Sequence, residues 1–148
     1  MRPANILRSE AAKRILVKDG AYGTAIQAYK LGEADYRGSY ELARDQKGNN
    51  DLLCLTRPDV IAAIGAAYAE AGAEVLGTNS FNANRISQGD YAAEHLVEEM
   101  NIAAARIVRE VADAATAQDG KSALRIVACT PTVRSTTCET WKSVAALR

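Results

Sequence analysis

Arg14-Ile-Leu-Val-Lys-Asp-Gly-Ala-Tyr-Gly-Thr24 is the stretch that decides the fold. Its Ile15-Leu16-Val17 run is β-favouring, too brief for a helix, and cut off by the turn signal Asp19-Gly20. A helical pattern follows over residues 24–31, with Ile26, Tyr29 and Lys30 at i, i+3 and i+4 and Gly32 placed to end it. The same order recurs in Ala73-Glu-Val-Leu-Gly-Thr-Asn-Ser-Phe-Asn-Ala83, where residues 74–77 read as a second strand. Strand, polar loop and helix, repeated, are the grammar of a parallel α/β fold. Polar residues at the exits of parallel strands sit where such folds bind ligands. Asp19, Gly20, Thr78 and Asn79 are therefore expected side by side on one rim.

Working outward, residues 5–13 suit a short helix that covers the bottom of the first strand. Residues 32–57 are irregular, and a loop of that length inside a domain is either functional or a mobile surface insertion. Thr56-Arg-Pro-Asp59 reads as a helix start: Thr56 to cap, Pro58 in the first turn, Asp59 at the positive end of the dipole. Val60, Ile61, Ile64, Ala67, Tyr68 and Ala71 then mark one face and Gly72 the stop, with Gly65 a weak point inside. Residues 91–115 carry the most regular apolar stripe, through Leu96, Val97, Met100, Ala103, Ala104, Ile107, Val108, Val111 and Ala115. Residues 124–128 read as a third strand. Right-handed crossovers place the three strands parallel and adjacent.

The totals narrow the function classes. Eighteen basic residues balance eighteen acidic ones, which gives no electrostatic case for nucleic acid or an anionic membrane. No apolar run reaches a membrane span, and the N-terminus lacks the apolar core of a secretory signal. The three cysteines, Cys54, Cys129 and Cys138, are scattered, as reduced thiols in a cytoplasmic protein would be. No Ser-His-Asp set, P-loop or dinucleotide fingerprint occurs, and Gly20-x-x-Gly23 alone is a weak signal.

Asp19-Gly-Ala-Tyr-Gly-Thr24 resembles the homocysteine-binding barrel of cobalamin-dependent methionine synthase, within the homocysteine S-methyltransferase family. The resemblance continues through Gly32-Glu-Ala-Asp-Tyr-Arg-Gly38, Lys47-Gly-Asn-Asn-Asp-Leu-Leu53, Arg57-Pro-Asp-Val-Ile61, Tyr68-Ala-Glu-Ala-Gly-Ala73, Thr78-Asn-Ser-Phe-Asn-Ala83 and Ile86-Ser-Gln-Gly-Asp-Tyr91. It implies the N-terminal part of a (β/α)8 TIM barrel, about three βα units, with the barrel incomplete. It also implies a chemistry: cysteine thiolates hold zinc, zinc deprotonates the homocysteine thiol, and the thiolate takes a methyl group from methylcobalamin. The amino-acid end of the substrate needs an anion for its ammonium, which Asp19 supplies. Its carboxylate needs donors, for which the amides around Gly20 and the side chains of Thr78 and Asn79 are candidates.

Residues 1–128 are accordingly expected to be a partial homocysteine-binding barrel domain, and 129–148 a divergent, disordered tail. Zinc and methylcobalamin belong to the full-length family, whose zinc cysteines lie in the second half of the barrel. Neither is expected to bind this chain tightly, and none of its cysteines is placed as a ligand. The abrupt change after Ala128 suggests a reading-frame shift near codon 129 and a truncated product. Such a chain is expected to be inactive alone and to pair with a complementary half-barrel or self-associate. A non-catalytic homocysteine-binding module and a non-functional product are the alternatives.

Each site residue also has a plain structural reading. Asp19 can cap the turn that follows it, and Asn79 tolerates turn geometry. Phe81 is expected in barrel packing, Cys54 in the core, and His95 on a solvated face. Tyr22 either lines the site or covers the strand end. Asp35, Tyr36, Arg37 and residues 49–51 either form a lid or close their own loop.

Overall fold

The computed structural model describes residues 3–119 and 126–128. In order they form α1 (Pro3–Ala11), α2 (Tyr22–Gln27), α3 (Glu33–Arg37), a 3-10 turn (Asn50–Leu52), α4 (Leu53–Thr56), α5 (Pro58–Glu70), β1 (Val75–Gly77), α6 (Arg85–Gly89), a second 3-10 turn (Glu94–Leu96), α7 (Val97–Asp119) and β2 (Ile126–Ala128). The tail, residues 129–148, lies outside the described residues, and Cys129 and Cys138 with it.

β1 is the centre of the sheet. On one side β2 runs parallel to it, with Val75, Leu76 and Gly77 opposite Ile126, Val127 and Ala128. On the other side Lys18 makes a parallel bridge to Val75. Val17 O accepts the amides of Glu74 and Val75 at 2.8 and 3.1 Å, and the Asp19 amide donates to Val75 O at 2.9 Å. Three segments thus lie parallel in the order 17–19, β1, β2, and the two exits before α2 and α6 open on the same rim.

The first of them is a bridge and not the strand expected from Ile15-Leu16-Val17. Among the described residues it is paired on one side only, and Ile15 and Val17 stand 90 % and 53 % exposed. The chain is α/β in type and mostly helical, and its described residues do not close a barrel.

Core packing explains which elements are straight. α5 begins with Pro58 in the first turn and Asp59 beside it, as the sequence suggests. Thr56, however, is not its cap. Arg57 takes that position, while Thr56 Oγ1 turns back to Leu52 O at 3.5 Å and closes α4. Val60, Ile61 and Ile64 of α5 bury with Tyr22, Ile26, Leu53 and Cys54. Gly65 faces this cluster: a Cβ there would lie 3.0 Å from Tyr22 Oη, so glycine makes room for the phenol. Tyr22 is therefore a core residue among the helices.

α7 buries Met100, Ala104, Val108 and Val111, the stripe read from the sequence. It starts at Val97 and not at residue 91, because Ala92 turns to φ 53° and breaks the helix. The first expected helix, 24–31, is likewise shorter, with Lys30 at φ 51°. Gly32 is the N-cap of α3, not the end of α2. Residues 32–57 are built from α3, the first 3-10 turn and α4. Gly72 does stop α5, at φ 101°. Phe81 is 63 % exposed and does not pack in a barrel core; its neighbours Ser80 and Ala83 take the buried positions of that turn.

Candidate functional site

The rim begins with Asp19. Its side chain is fully buried, and both oxygens are used: Oδ2 accepts the Gly77 amide at 2.6 Å and Oδ1 meets Lys18 Nζ at 2.7 Å. A buried carboxylate needs such partners, because an unpaired charge out of water is costly. The bond to Gly77 ties the exit of the first segment to the end of β1. Gly20 follows, and a Cβ on it would fall 2.8 Å from Tyr68 Oη. That phenol donates to Ala21 O at 3.2 Å, so the absent side chain at position 20 seats Tyr68.

The second exit holds Thr78 and Asn79, both buried. Thr78 Oγ1 and Ser80 Oγ share a hydrogen bond of 2.7 Å. Asn79 Nδ2 donates to Asn50 O at 2.7 Å, and the Cys54 thiol donates to Asn79 O at 3.3 Å. The structure therefore brings the two exits together through Gly77. It also gives Asp19, Thr78 and Asn79 internal partners.

What the sequence did not disclose is the turn that holds the second exit. Asn49, Asn50 and Asp51 each reach across to residues 79–88. Asn49 and Gln88 exchange side-chain bonds of 2.8 and 3.0 Å, Asn50 O receives Asn79, and Asp51 Oδ1 accepts the Asn82 amide at 2.9 Å. Asn50 Oδ1 also accepts from Tyr36 Oη at 3.0 Å. Gln46 Nε2 bonds Arg44 O and Tyr91 O, both at 2.9 Å. The Glu33 carboxylate accepts the Gln46 and Lys47 amides and the Arg37 side chain, and these hold its pKa below the ordinary value, the Gln46 amide most. Arg37 in turn donates to Leu42 O and Arg44 O. Asp35 pairs with Arg57 at 2.9 Å. The motif residues of 32–57 close their own loop and clasp the next one. The only local signal was a density of amides in Gly48-Asn-Asn-Asp51, and their partners lie far along the chain.

Electrostatics follow burial. Desolvation lifts the Asp51 carboxyl from 3.8 to about 6, against the pull of the Asn82 amide. The Cys54 thiol is pushed up to about 12 by burial, with the Asn79 bond opposing. Burial raises the Tyr22 phenol as well, and among the described residues its hydroxyl has no hydrogen-bond partner. His95 is exposed. A surface groove of about 590 Å³ between α5 and α7 is lined by alanines and Val111, and none of the four candidate site residues borders it.

The model of the homocysteine S-methyltransferase family matches residues 16–146, and the chain belongs to that family. The matched span runs past Ala128. Among solved structures the chain is similar to the homocysteine methyltransferase MmuM from Escherichia coli in its oxidized form, with a TM-score of 0.67 and 19 % identity. That likeness covers 99 % of this chain and 44 % of that one, and it concerns the fold, that of a TIM-barrel methyltransferase.

Zinc, which the family resemblance implies, does not fit the donors described. Among the described residues no three His, Cys, Asp or Glu side chains are grouped to hold a metal. Cys54 is a poor ligand by its chemistry: a metal takes the thiolate, and this thiol is buried, bonded and far from ionising at neutral pH. Among these residues, too, no single helix is long and apolar enough to cross a membrane.

Proposed function

We propose that this chain carries the amino-acid-recognition part of a homocysteine S-methyltransferase, of the kind that passes a methyl group from methylcobalamin to homocysteine. Asp19 holds the ligand's ammonium, and the amides at Gly20 with Thr78 and Asn79 serve its carboxylate. The observation that carries this reading is the Gly77 amide on Asp19 Oδ2 at 2.6 Å, which seats the two exits on one rim. A ligand that bridges the exits must replace bonds that Asp19 and Asn79 make internally, so binding is expected to be weak. The described residues hold no thiolate set for activating the substrate thiol, so the chain is expected to bind homocysteine without methylating it. Titration calorimetry with homocysteine tests this. Binding that falls about tenfold or more in Asp19→Asn supports it, since a charge-assisted contact is lost; equal binding in both forms refutes it. A methyl-transfer assay on the same sample separates binding from turnover.

A second reading has its own observation. Ile15 and Val17 expose apolar surface beside a segment that, among the described residues, is paired on one side only, and such edges recruit further strands. On this reading the chain is a non-catalytic module that associates, with itself or with the complementary part of a barrel. Sedimentation across a concentration series would show a rising mass.

A further inference from the structure

We propose that Lys18 is a resident substitute for the ligand's ammonium, holding Asp19 Oδ1 until an amino-acid substrate displaces it. The inference rests on the reading of Asp19 as the ammonium site. Asp19 Oδ2 is fixed by the Gly77 amide, which leaves Oδ1 as the oxygen open to a cation. Lys18 Nζ sits on it at 2.7 Å, while the Lys18 side chain is 55 % exposed and the Asp19 side chain is wholly buried. A primary ε-ammonium and an α-ammonium offer the same three donors, so one replaces the other without change of chemistry. Gly77 lies against the pair: a Cβ there would stand in contact, 3.4 Å from both Lys18 Nζ and Asp19 Oδ1, so only the glycine's hydrogens face the exchange. The lysine stem is half exposed and has water to swing into, and parting it from the buried carboxylate becomes feasible only because the incoming ammonium takes its place. The buried carboxylate is thus never left bare, and the exchange selects ligands that bring their own ammonium.

The test is a calorimetric titration of the wild type, Lys18→Met and Asp19→Asn with two ligands, homocysteine and 4-mercaptobutyrate. The second keeps the thiol and carboxylate but lacks the ammonium. Removing the competitor should tighten homocysteine binding about threefold to fivefold in Lys18→Met and leave 4-mercaptobutyrate unchanged. Weaker binding of both ligands in Lys18→Met would make Lys18 a carboxylate anchor and overturn the proposal, as would unchanged homocysteine binding. Loss of homocysteine binding in Asp19→Asn without an effect of Lys18→Met refutes the lysine's role alone. Equal binding in Asp19→Asn and wild type, or no binding in any form, refutes the parent reading and this one together. Should Asp19→Asn not fold, side-chain ¹⁵N spectra of lysine in the wild type decide. The Lys18 ammonium signal should move to its solvated position as homocysteine saturates, and a signal that stays in place contradicts the exchange.

Discussion

The two exits that form the rim are secured in different ways. Beyond β1, the chain from Asn79 to Gln88 is clasped residue by residue by the Asn49–Asp51 turn, with buried amides on both sides. Before α2, the chain at residues 17–19 pairs with β1 through its backbone; the Asp19 carboxylate reaches across to the Gly77 amide, and the Glu74 carboxylate reaches back to the Val17 amide and to Arg14. The first arrangement is over-determined: no single bond defines the path. The second rests mainly on backbone pairing, with the amides of Glu74 and Val75 on Val17 O and that of Asp19 on Val75 O, and on the Asp19 carboxylate at the Gly77 amide, beside exposed Ile15 and Val17. One exit is held by side-chain amides from a distant turn and the other by its strand neighbour.

The largest effect should come from breaking the clasp. Asn49→Leu leaves the buried Oε1 atoms of Gln46 and Gln88 without the Asn49 donor and takes one of two acceptors from Gln88 Nε2, which should cost about 3 kcal/mol. Urea denaturation measures it, and a loss below half that figure would show that the clasp is not what fixes the second exit.

Asp51 gives the clasp a pH dependence. Its folded pKa, about 6, stands above the ordinary 3.8 because it is buried. In that interval the folded chain keeps a proton that the unfolded chain has released. Stability should therefore fall as pH rises from about 4 to about 6 and stay lower above it. Asp51→Asn removes the buried charge but keeps one oxygen for the Asn82, Asp51 and Ala83 amides that the carboxylate accepts. Its stability should be flat across that window, where wild type loses about 2 kcal/mol. Urea midpoints at several pH values read both effects.

A smaller effect, a gain, is expected at Tyr22, whose buried hydroxyl has no partner among the described residues. Tyr22→Phe should stabilise by about 1 kcal/mol, read by thermal melting; a loss of stability would mean the hydroxyl is bonded in solution. The smallest effect is at Phe81. This aromatic is exposed on the clasped loop, and Phe81→Ser should change stability by no more than about 0.5 kcal/mol.

The same contrast explains what the sequence disclosed. Local chemistry was legible. Pro58 opens α5, Gly72 stops it in the left-handed region, and the stripe from Met100 to Val111 buries as its spacing requires. The parallel order of the three segments was also legible, since β-favouring runs alternating with helices leave few other arrangements. Positions decided by distant partners were not. Thr56 is a good cap by type, yet its hydroxyl is drawn to Leu52 O. Asn79 read as a donor for a ligand carboxylate or as a turn residue, and its side chain donates to the backbone of Asn50, twenty-nine residues earlier. Gly20 read as a place for a ligand to approach, and its missing side chain admits Tyr68. Lys18 carried no signal, because nothing in a strand-like run marks a lysine that will turn back onto the next residue.

The central claim is that the two exits serve a single amino-acid ligand. A homocysteine titration followed by amide chemical shifts in ¹H–¹⁵N spectra tests it most directly. The account predicts that the amides of residues 18–20 and of 77–80 shift together, with one saturation curve. Shifts confined to one exit, or different curves for the two, would contradict it.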